Sequence, residues 1–235
     1  MSHLQRRIIK RLKSDGLASC LRFLAVAGWA EVTTTIAEAR RGIDTEHPAN
    51  HRQLGILNPE NHWYKAAAYD TFQRAMRHVT VRPGQDVFVD FGSGKGRIVV
   101  LAAEYPFRRV IGVEFVESLH RVAKKNLSHR ARHRVCQDIQ LIRADATQWP
   151  IPADANILFF YNPFEGAVLA KVWENIRQSL HDAPRFMTIV YVRPEAFFES
   201  QIRWQELLTC RVRMVCREGT LAIYEHTPAT GGINA

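Results

Sequence analysis

The sequence predicts an α/β protein: a doubly wound, mostly parallel seven-stranded sheet with a C-terminal antiparallel hairpin, preceded by an N-terminal helical extension. Three observations predict it. From residue 86 onward, short apolar runs alternate with helical stretches. A glycine-rich turn joins the first of those runs to the helix behind it. The last two β-rich runs, TCRVRMVC and TLAIYEH, are separated only by REG, too short for anything but an antiparallel connection. Apolar strands that alternate with helices imply a parallel sheet covered on both faces.

The elements follow in order. Tyr64, Ala68, Phe72 and Met76 recur at i, i+4 spacing and predict a helix, which RPGQD then breaks. VFVDF is the first strand and ends in an acid; GKGRIVVLAAEY is helical. RRVIGVEF is the second strand, SLHRVAKKNLSHR the next helix and IQLIRAD the third strand. NILFFYNPF, the helical AVLAKVWENIRQSL and the strand FMTIVYV complete the parallel part.

Ahead of this pattern, residues 1–13 carry Arg6, Arg7, Lys10, Arg11 and Lys13 around Ile8, Ile9 and Leu12, as a basic amphipathic helix would. A second apolar stretch, LRFLAVAGWA, is interrupted by Arg22 and does not fit a secretory signal. Residues 41–62 are rich in turn formers and read as a long loop with functional content. The expected organisation is therefore an extension over 1–62, a domain over 63–226 and a flexible tail over 227–235.

Composition sets the outer limits. Of the 235 residues, 46% are hydrophobic and 23% charged, which predicts a folded domain rather than a disordered chain. No apolar run reaches the roughly 18–20 residues needed to span a bilayer. Cys20, Cys136, Cys210 and Cys216 form no CxxC pair, which argues against a zinc site or a disulfide scaffold and predicts a cytoplasmic location. The net charge of +9 favours anionic partners, including nucleic acid or a membrane surface touched by the N-terminal helix. His129 and His133 lie four apart among arginines, with no acid or Cys to complete a metal site. The basic run from Arg121 to Arg134 leads into the third strand, at the sheet edge opposite the glycine turn.

The glycine turn is Asp90-Phe91-Gly92-Ser93-Gly94-Lys95-Gly96-Arg97. A phosphate-binding P-loop would need Gly where Val89 stands and Ser or Thr where Gly96 stands. A dinucleotide fingerprint would need Gly at Arg97. DFGSGKGR instead resembles the first motif of the class I S-adenosylmethionine-dependent methyltransferases, in which a strand ends in an acid and enters a GxGxG turn. The resemblance extends over about residues 64–226. It implies an S-adenosylmethionine site, with S-adenosylhomocysteine as product and no metal. Its residues here would be Asp90, Gly92, Ser93, Gly94, Gly96 and Arg97 of the turn, with Glu114 gripping the ribose hydroxyls, Phe115 beside the adenine, and Asp145 with Ala146 at the adenine amino group.

The fourth strand ends in Tyr161-Asn162-Pro163-Phe164. This is similar to the [D/N/S]PP[Y/F] motif of amino-methylating members of that family, with the second Pro missing, and more weakly to the non-SET lysine methyltransferases. The resemblance makes Asn162, Phe164 and Tyr161 the catalytic candidates, with Asn162 also at the cofactor. Pro163, Tyr191, Arg193 and Tyr64 are substrate candidates. Trp63 and Tyr69 would lid the cofactor, line a substrate pocket or pack helices. Residues Gly42 to Thr45, GIDT, together with DFGSGKGR also resemble a bacterial group within this superfamily. The implied reaction is direct in-line transfer to an amine of a protein or small molecule. Two alternatives stay open: transfer to RNA or DNA, and a non-catalytic module that binds the cofactor and recruits a partner.

Overall fold

The computed structural model describes residues 34–128, 134–192, 211–218 and 221–228. The basic stretch 1–13, the apolar stretch 21–30, His129, His133, Arg193 and the tail 229–235 lie outside the described residues. The chain divides into two compact units, Met1–Gly42 and Ile43–Ala235. In the first, residues 34–41 are helical. The second begins at Ile43, so residues 43–62, expected to belong to the extension, fold with the domain.

That second unit contains α1 (His51–Leu54), α2 (Tyr69–Met76), β1 (Val87–Phe91), α3 (Arg97–Ala102), β2 (Arg109–Glu114) and α4 (Glu117–Ser128). It continues with β3 (Ile139–Arg143), β4 (Ile157–Tyr161), α5 (Gly166–Asp182), β5 (Met187–Val192), β6 (Arg211–Glu218) and β7 (Leu221–Thr227). The strands form one seven-stranded sheet in the order β3-β2-β1-β4-β5-β7-β6. β1 to β5 are parallel, and β7 runs antiparallel to both β5 and β6. The strand order reverses between β1 and β4, and open α/β sheets place ligands in the crevice outside the carboxyl ends at such a point.

Every residue of β1 is buried, as expected of a central strand covered on both faces. Alternate side chains feed two cores. Val87, Val89 and Phe91 pack with Leu158, Phe160 and Tyr191 under Leu169, Val172, Trp173 and Ile176 of α5. Phe88 and Phe159 face the other way, onto Phe72, Ala75 and Met76 of α2 and Ile98 and Val99 of α3. Burying one such large side chain contributes roughly 2–3 kcal/mol. Phe91, Phe160 and Tyr191 are register neighbours on β1, β4 and β5. Their rings stack at 4.7 and 5.5 Å between centroids.

Two stretches differ from their sequence patterns. The i, i+4 series suggested a helix from Tyr64, yet α2 starts at Tyr69, with Ala68 extended at ψ 145°. Tyr64 is bound instead to Ala49 through backbone hydrogen bonds in both directions, at 3.2 and 3.0 Å. The loop 43–62 contains one helical turn, α1. It is closed by a capping box between Asn50 and Gln53 and ended by Gly55 at φ 67°.

Candidate active site

Asp90 ends the inner part of β1, Glu114 ends β2 and Asp145 follows β3, so parallel strands bring three carboxylates to one edge. They line an open cleft together with Gly92, Ser93, Phe115, Ala144 and Ala146. Its other wall includes His62, Trp63, Tyr64, Tyr161, Asn162, Pro163 and Phe164. Phe115 and Trp63 are about half exposed, which is unusual for large aromatic groups unless a ligand or partner uses them.

The glycine turn folds back onto β2: the Gly92 and Ser93 N–H groups both donate to Val113 O at 3.0 Å. Gly92, Gly94 and Gly96 have φ of 72°, 55° and 83°, a region open chiefly to glycine. Their missing side chains make room for other parts of the same chain. A Cβ on Gly92 would sit 2.5 Å from Pro163 Cβ, and one on Gly94 would overlap the Tyr64 ring. Gly94 and Gly96 do not line the cleft. Gly94 N donates to Glu114 at 2.9 Å, and Gly96 faces Ala123.

The electrostatics of the edge are those of an incomplete site. Asp90 is 2% exposed, and its Oδ2 has no hydrogen-bond partner; the same holds for the buried Ser93 Oγ. Burial, and then the nearby Glu114 charge, push the Asp90 carboxyl well above the usual range. Burial also raises Glu114, against the N–H groups of Val116, Gly94 and Phe115 that favour its charged form. Glu114 spends one lone pair of each oxygen on backbone, with Gly94 at 2.9 Å and Val116 at 2.7 Å, and retains the others for hydroxyl donors. Asp145 is exposed, and its Oδ1 accepts from Thr147 N and Oγ1 at 2.8 and 2.7 Å.

Arg97, expected at the cofactor, lines the cleft, and its guanidinium is engaged by the chain ahead of α2. Its guanidinium donates to Thr45 Oγ1 at 2.6 Å, Ala67 O at 2.7 Å and Glu46 Oε1 at 2.7 Å, and lies 4.7 Å from the Tyr69 ring centroid. Its chemistry is to anchor the GIDTE segment. Asn126 of α4 fastens the same segment, accepting from Asp44 N at 3.0 Å and donating to Asp44 O at 3.1 Å. Tyr191 is a core residue rather than a wall of the cleft, though its hydroxyl donates to Asn162 Oδ1 at 3.4 Å. Phe164 is buried, with its ring edge-on to Phe160 at 6.2 Å.

Asn162 is the one non-glycine residue with positive φ among the described residues, at 44°. The segment Glu60–Tyr64 runs beside its loop, and sequence patterning missed this. Asn61 pairs with Phe164, Glu165 N donates to Glu60 O at 2.8 Å, and Val168 N donates to Glu60 Oε2 at 3.0 Å. His62 touches Asn162, Pro163 and Glu165. The only sequence signal was the cluster His62-Trp63-Tyr64 at the end of a loop without periodicity. Among the described residues no group of His, Cys, Asp and Glu is arranged to hold a metal, and no helix is long and apolar enough to cross a membrane.

A parallel sheet in this strand order, closed by an antiparallel β7 and carrying acids at the ends of β1 and β2, has the Rossmann-like architecture that class I methyltransferases share. Solved structures with related sheets include two methyltransferases. The precorrin-6y C5,15-methyltransferase of Geobacter metallireducens GS-15 superposes with a TM-score of 0.51 at 15% identity, covering 69% of this chain and 90% of that one. An RNA methyltransferase of Salinibacter ruber, solved with S-adenosyl-L-homocysteine, gives a TM-score of 0.48 at 22% identity, over 70% of this chain and 94% of that one.

More particularly, residues 60–141 match the family described as histone methylation protein DOT1. A Drosophila melanogaster histone-lysine N-methyltransferase, H3 lysine-79 specific, is 35% identical over 79 residues, 33% of this chain. The matched segment spans only 4% of that protein's length.

Proposed function

We propose that the protein transfers a methyl group from S-adenosylmethionine to an amine nitrogen of a protein or small-molecule acceptor. The observation that carries this reading is the set of three carboxylates, Asp90, Glu114 and Asp145, at adjoining strand ends in one cleft. The residues fit the cofactor. An orphaned, buried Asp90 oxygen suits the ammonium of the methionine moiety, which supplies both charge and N–H donors. Glu114 suits vicinal ribose hydroxyls. Asp145 suits an adenine amino group, with half-exposed Phe115 beside the ring. When bound, the cofactor supplies a methyl already activated by sulfonium charge.

The chain's part in the reaction is orientation. Asn162 Oδ1 accepts an N–H of the acceptor and aims its lone pair along the line of attack. Pro163 and Phe164 wall the path, and Tyr161 closes it below. Holding the partners in line is worth several kcal/mol of barrier. The neutral amine is the nucleophile, so the apolar and aromatic lining also serves by disfavouring the ammonium form. The amine reading draws support from the Asn-Pro-Phe sequence and from the name of the Drosophila relative.

The test is calorimetry with S-adenosylhomocysteine, followed by isotope-labelled methyl donor added to lysate fractions. The reading expects binding that Glu114→Ala weakens at least tenfold. It also expects label in protein or amine metabolites, which Asn162→Ala abolishes while cofactor affinity stays. No binding by the intact protein, or label confined to nucleic acid, would overturn it.

A further inference from the structure

We infer that His62 is the positioning residue of the transfer: it locks the Asn162 backbone so that the side-chain oxygen faces the reacting nitrogen. The inference rests on the amine-transfer reading above and adds to it a residue outside every motif of the sequence.

The geometry is specific. A left-handed conformation is uncommon for a non-glycine residue, even though Asn tolerates it better than most, and contacts from the surroundings help to hold it. At Asn162 those surroundings are His62. The ring Nδ1 lies 2.8 Å from Asn162 O; a carbonyl can only accept, so Nδ1 carries the hydrogen. The His62 backbone N–H donates to the next carbonyl, Pro163 O, at 2.9 Å. On the far side of the ring, Nε2 lies 3.4 Å from Glu165 Oε2. One residue thus spans the loop from 162 to 165. The Asn162 and Pro163 carbonyls are occupied, whereas Asn162 Oδ1 makes a long contact with the Tyr191 hydroxyl at 3.4 Å. Asn162 lines the cleft, so its side-chain oxygen is the acceptor this loop offers to a ligand.

The test needs no knowledge of the acceptor. Sinefungin carries a C–NH2 where S-adenosylmethionine carries its S–CH3, so its amine probes the position of Asn162 Oδ1 directly. S-adenosylhomocysteine lacks that amine and reports the rest of the cleft. The wild-type protein is expected to bind sinefungin at least tenfold more tightly than S-adenosylhomocysteine. His62→Ala should reduce that ratio about tenfold while S-adenosylhomocysteine affinity stays within twofold. His62→Asn, whose amide N–H reaches about as far as Nδ1, should preserve the ratio. An unchanged ratio in His62→Ala, or equal weakening of both ligands, would overturn the inference. So would equal wild-type affinity for the two. A wild-type protein that binds neither ligand would defeat the cofactor reading itself, and the positioning role with it.

Discussion

The Tyr64 ring occupies the space over Gly94 that any side chain there would require. Tyr64 is not free to swing away, because its hydroxyl donates to Thr45 O at 2.7 Å and its backbone pairs with Ala49. Gly94→Ala therefore adds both a steric overlap and a methyl at φ 55°. We expect a loss of about 2 kcal/mol in urea unfolding, in the range of overpacked sites. Removing the ring should relieve part of it. The double variant Tyr64→Ala/Gly94→Ala should be more stable than the sum of the single effects, by at least about 0.5 kcal/mol in a double-mutant cycle.

The two raised carboxyls make the ligand-free protein less stable as pH rises. A folded-state value above the unfolded one means the native state holds more protons between the two, so stability falls with pH across that window. Asp90→Asn removes the larger share. It should raise the neutral-pH melting temperature by several degrees while weakening S-adenosylhomocysteine binding at least tenfold. Calorimetric scans from pH 5 to 8 should show the difference between variant and wild type growing with pH.

Asp86 acts in the opposite direction. Burial pushes its carboxyl up, but hydrogen bonds from Arg82 and Asn156 outweigh that and leave it below the ordinary range of an aspartate. Its stabilisation is complete above the unfolded value and is lost as pH falls through the folded one. Unfolding midpoints measured from pH 6 to 3 should drop less steeply in Asp86→Asn than in the wild type. The two curves should converge at the acid end.

Arg97 is 4% exposed and donates to three acceptors on the segment ahead of α2. Lysine cannot reproduce a planar fork of donors stacked on Tyr69. Arg97→Lys should cost about 3 kcal/mol, as when one member of a buried polar network is removed. Hydrogen exchange should show faster opening of residues 43–48, with the β1 to β5 amides losing far less protection.

Much of the fold was legible because it depends on local pattern. The alternation from VFVDF to FMTIVYV gave five parallel strands, and REG gave the hairpin. Asp90, Glu114 and Asp145 could be brought together because in a parallel sheet every acid-terminated strand delivers its acid to the same edge. What was not legible depends on contacts far apart in sequence. Arg97 sits in the motif, yet its partners Thr45 and Glu46 lie 52 and 51 residues earlier in an aperiodic loop. Tyr64 continues the helical spacing of Phe72 and Met76, but pairing with Ala49 keeps it extended. The glycine turn is plain in the sequence, but the groups that fill the space over Gly92 and Gly94, Pro163 and Tyr64, are not. His62 carries no pattern at all, since its role exists only once β4 ends beside it.

The attachment of Glu60 to the start of α5 has a practical consequence. A version shortened to residue 63, where the aperiodic stretch ends, would lack the carboxylate that receives Val168 N and the carbonyl that receives Glu165 N. It would also lose Asn61 and the imidazole against Asn162. Its sheet would still assemble, but the loop after β4 would have nothing to rest on. A shortened version meant to work has to begin ahead of Ile43.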